Sequence, residues 1–399
     1  MTFQLNKLKA RWFGLASVTL LFNAAMYLIL KTYWQEAYAT RWSLLAGAGS
    51  AYLLWVLWQG LPDNRRLGEA GLLPGLGWGN LLTWLRGLWI AWLAGFLFLP
   101  RPEGWLGWLP GLLYLMAALA DLFDGYLARR ANMLTRLGER LDLLLDGLGV
   151  LLAVALIVQY GQAPGWYLLV GLARYLFLAG IWLRERLGKP VFDLPPSASR
   201  RPLAGAQMGF IAMMLMPLFT PPGTYLAATL FGLPFLTGFA RDWLAVSGAL
   251  RTTVRAAAGS LGEGWMSRAN CFASAWLPVI LRVLVVGLLI VLLARQLGEI
   301  PWLLAWSLES AGGGPALAWL YAMLMLETLA AVLLGLGAAG RVASLAVLLA
   351  LGIHLQSSGL TPLVLATATG AAGLFFLGTG AFSLWTPEKA LIGERLGEV

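Results

Sequence analysis

The sequence predicts an all-α, polytopic integral membrane protein with roughly ten to twelve transmembrane helices. Hydrophobic residues make up 59% of the chain and charged residues only 12%, which is far from the balance of a soluble domain. Apolar runs of about 20 residues, the length that spans a bilayer, recur along the chain. Lysine and arginine collect in alternate connections between these runs, as they do in membrane proteins of fixed orientation.

Ten apolar runs are expected to span the membrane, and each is bounded by polar or turn-forming residues. They lie near 12–32, 43–60, 80–100, 106–128, 139–160, 164–184, 203–220, 224–246, 275–296 and 316–338. Two further runs, 341–356 and 361–384, bring the number to twelve. We expect three blocks: a two-helix N-terminal extension (1–77), a six-helix core (78–250) and a C-terminal helical extension (251–399).

The basic residues predict the orientation. With the N-terminus in the cytoplasm, the arginine-rich connections around 65–66, 129–140, 184–201 and 251–255 all lie on that side, and the opposite connections are short and almost uncharged. The even number of runs places the C-terminus there too. We therefore expect a protein of the bacterial inner membrane with both termini facing the cytoplasm.

Composition also argues against several functional classes. The lone Cys271 excludes an internal disulfide, and the lone His354 argues against a histidine zinc site or a Ser-His-Asp triad. The net charge of +9 suits anionic lipid head groups, and nothing indicates a nucleic-acid surface.

Four aspartates lie where a membrane helix tolerates them least. Asp121 and Asp124 are near the end of one predicted span, and Asp142 and Asp146 are in the first turns of the next. Each would cost about 2.5–3.5 kcal/mol at the bilayer centre, so the four require a cation or a water-filled cavity. Their spacings of three and four residues place each pair on one helix face, and the short connection lets the two faces meet. Clustered carboxylates are ligands that Mg²⁺ takes when it bridges a protein to phosphates.

Residues 121–146 read DLFDGYLARRANMLTRLGERLDLLLD, which contains the pattern D-x2-D-G-x2-A-R-x8-G-x3-D-x3-D at every position. This segment resembles the signature of the CDP-alcohol phosphatidyltransferase family. The preceding Asn80, Thr83 and Arg86 look like the opening of that family's first core helix.

The resemblance implies an enzyme of phospholipid synthesis that moves a phosphatidyl group from a CDP-linked donor, most simply CDP-diacylglycerol, to an alcohol and releases CMP. Two Mg²⁺ or Mn²⁺ ions would be held by Asp121, Asp124, Asp142 and Asp146, and Asp146 would also act as the base. The CDP moiety would contact Gly125, Ala128, Arg129 and Gly138. The site would open at the cytoplasmic boundary, where a small alcohol or polyol phosphate meets the membrane lipids, and the family habit implies a homodimer.

Some residues keep two interpretations. Arg174, in the middle of a span, is either a phosphate ligand or the partner of an acid such as Asp242 or an active-site aspartate. Arg200 and Arg201 either bind acceptor phosphate or only orient the chain, and Asn80 and Thr83 either contact the nucleotide or cap a helix.

Two further possibilities are kept open for the chain as a whole. A membrane transporter or lipid-handling protein with an acidic cation site is the alternative function, although it predicts broken helices and a repeated half. The C-terminal block weakly resembles DoxX-like membrane proteins, and no chemistry follows from that resemblance.

Overall fold

The computed structural model describes the backbone of residues 2–66, 69, 71–130, 135–194, 200–249, 276–298, 313–378, 380 and 383–384. Side chains are described in these ranges except at 2, 122–130, 200–202, 313–320 and 356–358.

The described part of the chain is built from α-helices joined by short turns. In chain order the helices are α1 (Thr2–Tyr33), α2 (Glu36–Gly60), α3 (Gly77–Ala94), α4 (Leu109–Arg130), α5 (Arg136–Gln159), α6 (Leu168–Arg186), α7 (Arg200–Leu215), α8 (Gly223–Val246), α9 (Trp276–Gly298), α10 (Gly313–Leu336), α11 (Gly340–Ser358) and α12 (Pro362–Leu377). Single 3₁₀ turns lie at Leu61–Asp63, Gly104–Trp108 and Gly165–Tyr167. The described residues contain isolated β-bridges but no strand.

The predicted all-α, polytopic class is confirmed, and six helices, α3 to α8, lie in the predicted core. Three predicted runs were too long, among them 203–220, whose helix α7 ends at Leu215. The run 80–100 ends as helix α3 at Ala94, where the chain turns through Phe98 with a φ of 62°. The run 361–384 ends as helix α12 at Leu377, because Gly378 adopts a φ of 81°, which stops a right-handed helix.

Several helices have the length and composition of membrane spans. Six segments of the described residues qualify, namely Phe3–Tyr33, Glu36–Asp63, Arg136–Gln159, Gly165–Arg186, Gly223–Val246 and Trp276–Gly298. Shorter apolar helices occupy Leu203–Leu215, Tyr321–Leu336, Gly340–Leu355 and Pro362–Leu377. Large apolar side chains on α1, such as Leu20 and Leu21, are more than 60% exposed, which fits a helix that faces lipid.

The chain forms two compact units. The first comprises Met1–Leu187 and Ala204–Pro221. In it α3 packs against α2, α4 and α5, while α5 also packs against α6. Its core joins the leucines of α2, α3 and α5, among them Leu57, Leu88 and Leu141. Helix α3 is therefore surrounded by the N-terminal extension on one side and by the signature-bearing helices on the other.

The second unit comprises Gly188–Leu203 and Pro222–Val399. Helix α11 packs against α10 and α12, and α8 contacts both α11 and α12. A compact unit need not be an evolutionary domain, so the three blocks inferred from the sequence stay predictions. The DoxX-like character of the C-terminal block stays one as well.

Candidate active site

Three of the four signature aspartates converge on one arginine. Arg86 of α3 donates from Nη1 to Oδ1 of Asp121 at 2.7 Å and to Oδ1 of Asp142 at 2.6 Å. Its Nη2 donates to Oδ1 of Asp146. The three carboxylates come from two neighbouring helices, α4 and α5, and the arginine approaches from a third. The meeting of the two acidic helix faces predicted from the spacing is thus confirmed for these three residues.

Burial differs sharply between the arginine and the acids. The Arg86 side chain is 2% exposed, whereas those of Asp121, Asp142 and Asp146 are 31%, 45% and 36% exposed. A buried guanidinium is tolerable only when its N–H donors are paired, and the carboxylates provide that pairing. The three carboxylates are therefore accessible from solvent, and Arg86 lies buried beneath them.

The donor set fits a divalent cation. One carboxylate oxygen from each of Asp121, Asp142 and Asp146 lies within 4.8 Å of the others. Opposite oxygen ligands of octahedral Mg²⁺ are about 4.2 Å apart, so these carboxylate oxygens need to move only a little closer together to bind one ion. Among the described side chains, two guanidinium groups lie near these three carboxylates, Arg86 and, at 3.8 Å from Asp146, Arg174. The cluster keeps negative charge that a metal ion would neutralise.

The N-terminus of α5 is held by a polar junction next to the acids. Thr135 caps α5, and its hydroxyl accepts from the backbone N–H of Gly138 at 3.0 Å. The same hydroxyl donates to Oδ1 of Asn80, also at 3.0 Å. A Cβ at Gly138 would lie 2.7 Å from that Oδ1, so the approach of Asn80 by itself requires glycine here. Contact of Gly138 with a nucleotide stays a prediction.

Asn80 and Thr83 are both buried on α3, at 5% and 4% exposure. Asn80 does not cap its own helix but links α3 to the cap of α5. Thr83 donates to the carbonyl of Gly79, one turn earlier, at 3.0 Å. Their predicted contacts with substrate are not tested by these bonds.

Arg174 of α6 lies beside the catalytic candidate. Its Nη1 is 3.8 Å from Oδ2 of Asp146, so an active-site aspartate is one of the acids beside it. A role as a phosphate ligand stays a prediction. The approach depends on Gly147, where a Cβ would lie 3.0 Å from the Tyr175 hydroxyl oxygen and 3.4 Å from Cδ of Arg174. A half-exposed guanidinium next to Asp146 remains able to receive a phosphate.

Comparison with known proteins decides the family. The profile of the CDP-alcohol phosphatidyltransferase family matches residues 77–237. A CDP-diacylglycerol–glycerol-3-phosphate 3-phosphatidyltransferase of Cereibacter sphaeroides is 33% identical over 167 residues, which cover 41% of this chain and 68% of that protein. The chain belongs to the CDP-alcohol phosphatidyltransferase family.

Proteins of the same name from other bacteria give similar matches. The Bacillus subtilis protein is 30% identical over 131 residues, which cover 31% of this chain and 60% of that protein. The Escherichia coli K12 protein is 32% identical over 116 residues, which cover 28% of this chain and 61% of that protein. The chain thus spans about three fifths to two thirds of the length of these relatives. No solved structure matches the chain significantly.

Within this CDP-alcohol phosphatidyltransferase, part of the signature lies beyond the described side chains. Helix α4 carries Asp124, Gly125, Ala128 and Arg129, and the start of α7 carries Arg200 and Arg201, but only the backbone of these residues is described. Their predicted roles stay predictions.

Sequence reasoning missed two residues that bond to predicted site residues of this phosphatidyltransferase. Arg86 was noted only as part of a helix opening, although an arginine inside an apolar run needs a partner, the same signal that singled out Arg174. Asn64, in the connection before α3, is fully buried and bonded to Asn80, and it had no sequence signal.

Proposed function

We propose that this enzyme transfers the phosphatidyl group of CDP-diacylglycerol to a small phosphorylated polyol, with glycerol 3-phosphate as the first candidate, and releases CMP. The observation that carries the proposal is the cluster of Asp121, Asp142 and Asp146, at the signature positions of the family, with accessible oxygens within 4.8 Å of one another. The matching relatives are named for that donor and that acceptor. The transporter alternative is set aside because family membership establishes the enzyme class.

The chemistry of the donor set supports divalent ions. Asp121, Asp142 and Asp146, with Asp124 of the same signature, would hold Mg²⁺ or Mn²⁺, two ions by the family pattern. Bound there, the metal would neutralise the pyrophosphate and stabilise the CMP leaving group.

The protein's own residues orient the reactants and accept the proton. The acceptor hydroxyl oxygen forms a bond to the β-phosphorus, while the bond from that phosphorus to the oxygen bridging the two phosphates breaks. CMP leaves with the bridging oxygen and its electron pair. The hydroxyl proton passes to Oδ2 of Asp146, because Oδ1 already accepts from Arg86 and Oδ2 lies 3.8 Å from Arg174, beyond a hydrogen bond.

Arg174 supports a phosphorylated acceptor. Its guanidinium lies next to the carboxylate that takes the proton, at a distance suited to a phosphate on the same small molecule. Following the distribution of basic residues, the site would face the cytoplasm from the inner membrane, where such acceptors are dissolved. A homodimer, implied by the family, stays a prediction.

The test is CMP release by the purified protein with CDP-diacylglycerol, Mg²⁺ and a panel of acceptors: glycerol 3-phosphate, inositol phosphate, serine, glycerol and no acceptor. We expect release that depends on a phosphorylated polyol and falls by at least about a hundredfold in Asp146→Asn, since general-base catalysis contributes about 10²–10⁴.

The matched control is Glu103→Gln, which neutralises an exposed acid in the connection between α3 and α4. It should keep the wild-type rate. Equal release by the wild type and Asp146→Asn would rule out the proposed base, and release only with unphosphorylated alcohols would rule out the proposed acceptor.

A further inference from the structure

The connection between α2 and α3 bonds to Asn80, a predicted site residue, although it precedes the family-matched region, which begins at residue 77. Asn64 of this connection is 0% exposed. Its Oδ1 accepts from Nδ2 of Asn80 at 3.0 Å, and its own Nδ2 donates to the carbonyl of Gly75 at 2.8 Å. A buried side chain whose amide oxygen and amide nitrogen are both hydrogen-bonded is held in one conformation.

These bonds continue into the start of α5 as one directed chain. The N–H of Gly138 donates to the Thr135 hydroxyl, which donates to Oδ1 of Asn80, whose Nδ2 donates to Oδ1 of Asn64, whose Nδ2 donates to Gly75. The first group can only donate and the last can only accept. The direction of every bond between them is therefore determined, and each bond polarises the next.

The chain of bonds sets the orientation of the Asn80 amide. Within the described part of the chain, Asn64 takes one N–H of the Asn80 amide and Thr135 one lone pair, which leaves one N–H and one lone pair of that amide. It keeps them next to the backbone of Gly138, which packs directly against its oxygen. Without Asn64, the amide of Asn80 would lose its acceptor and its preference for this orientation.

We propose that Asn64 is a positioning residue for the CDP end of the site, acting through Asn80 and Thr135 on the first turn of α5. Through this residue the N-terminal extension contributes to substrate binding without touching the substrate. The inference rests on the proposed function, since it takes the Asn80–Gly138 region as the place where CDP binds.

The experiment compares the full-length wild type with Asn64→Leu, which keeps the approximate size of the side chain and removes both amide bonds. CDP affinity is measured by calorimetry in detergent at saturating Mg²⁺, and kcat by CMP release at saturating CDP-diacylglycerol. We expect the Kd for CDP to rise about tenfold, the value of one well-made hydrogen bond, while kcat changes less than about threefold.

Asn23→Leu is the matched control. Asn23 also belongs to the N-terminal extension and also bonds α3, accepting from Nε1 of Trp92 at 2.8 Å. Trp92 is twelve residues beyond Asn80, about 18 Å along the helix. This variant should lower thermal stability and leave the Kd for CDP unchanged.

Thr135→Val interrupts the same chain of bonds from its other end and serves as the second variant. It should raise the Kd in the same way, and the double variant with Asn64→Leu should raise it by less than the product of the single effects, because the two residues act as a unit.

Wild-type affinity in Asn64→Leu and Thr135→Val, or an equal loss in Asn23→Leu, would overturn the proposal. Failure of the proposed function would show differently, as CDP binding by the wild type without CMP release from any donor and acceptor pair.

Discussion

Arg86 has a single positive charge and is shared by three carboxylates. The guanidinium is buried and depends on these carboxylates, because without them its charge would be uncompensated away from water. The guanidinium is also a planar fork, and its Nη1 and Nη2 hold carboxylates from two helices in fixed directions. Arg86 thus orders the acids that we propose as metal ligands.

Two substitutions of Arg86 distinguish the effect of its positive charge from the effect of its planar shape. We expect Arg86→Leu to lower the free energy of unfolding by about 1–3 kcal/mol, since three partly exposed carboxylates lose the guanidinium that they share. Mg²⁺ should restore part of this loss, because it neutralises the same groups. Arg86→Lys should keep most of the stability and lose at least about tenfold in kcat, as an ammonium cannot reproduce the fork. Thermal unfolding with and without Mg²⁺, together with CMP release, measures both effects.

Arg140→Leu is the control for these variants. This arginine lies on α5 with a 58% exposed side chain, 3.9 Å from Asp63, and its loss should change stability by less than about 0.5 kcal/mol. An Arg86→Leu protein that unfolds at the wild-type temperature would show that the carboxylates do not depend on this partner.

At the residue scale, local spacing predicted which aspartates lie close together, but it could not predict which residue from another helix pairs with them. Asp142 and Asp146 share a helix face by periodicity alone, so their proximity follows from the sequence. Arg86 lies 35 residues before Asp121, and its contact with the acids depends on how α3, α4 and α5 pack. Asn64 is a similar case, because its role depends on a bond to another helix.

Among the elements, α3 is fixed against α5 at both ends. Near the acids the fixing group is the Asn80–Thr135 bond. At the other end the Gln159 side chain of α5 accepts from the N–H of Phe98 at 2.7 Å and donates to the carbonyls of Phe96 and Leu99. These bonds satisfy the backbone where α3 ends and set the register that brings Arg86 opposite Asp142 and Asp146.

The contact between α5 and α6 depends on glycine. A Cβ at Gly171 would lie 3.1 Å from the Cα of Leu151, a backbone atom that cannot move aside. We expect Gly171→Ala to force the helices apart, to lower the free energy of unfolding by about 1–3 kcal/mol and to raise the KM for the acceptor, because Arg174 moves away from Asp146. Thermal unfolding and initial rates at varied acceptor concentration measure the two effects.

Gly47→Ala on α2 is the control, since no atom lies within 4 Å of a Cβ there. Its stability should be unchanged or up to about 1 kcal/mol higher, the difference in helix propensity. If Gly171→Ala kept wild-type stability and acceptor KM, close packing of α5 on α6 would not be what positions Arg174.

Hydrophobic runs predicted the helices well and their ends less well. Apolar periodicity extends beyond the true ends of α3 and α12, because the residues that stop these helices are apolar or glycine rather than polar. Helix α1 shows the opposite error. It begins at Thr2, well before the predicted 12, since Lys7, Lys9 and Arg11 continue the helix outside the apolar run.

For the whole molecule, the site lies in the compact unit that also contains the N-terminal extension. Sequence blocks followed composition, whereas packing joins residues 1–76 to the signature helices through α2 and Asn64. Such long-range pairing leaves no periodic trace in a single sequence, which is why these contacts of the extension could not be predicted.

Metal binding should be visible in the stability of the whole protein. A divalent ion that binds only the folded state stabilises it by about 2.7 kcal/mol at a concentration one hundred times its Kd. We expect Mg²⁺ or Mn²⁺ to raise the Tm of the wild type and of Glu103→Gln, and to have little effect on Asp142→Asn. An equal rise in all three proteins would place the stabilising ion elsewhere.

The most direct test of the metal-dependent transferase is CMP release from CDP-diacylglycerol and glycerol 3-phosphate by chelator-treated wild-type protein, measured as Mg²⁺ is added back. The account predicts no release without metal and a saturable recovery that Asp142→Asn shifts to much higher Mg²⁺. Undiminished release after chelation, or the same Mg²⁺ dependence in Asp142→Asn, would contradict it.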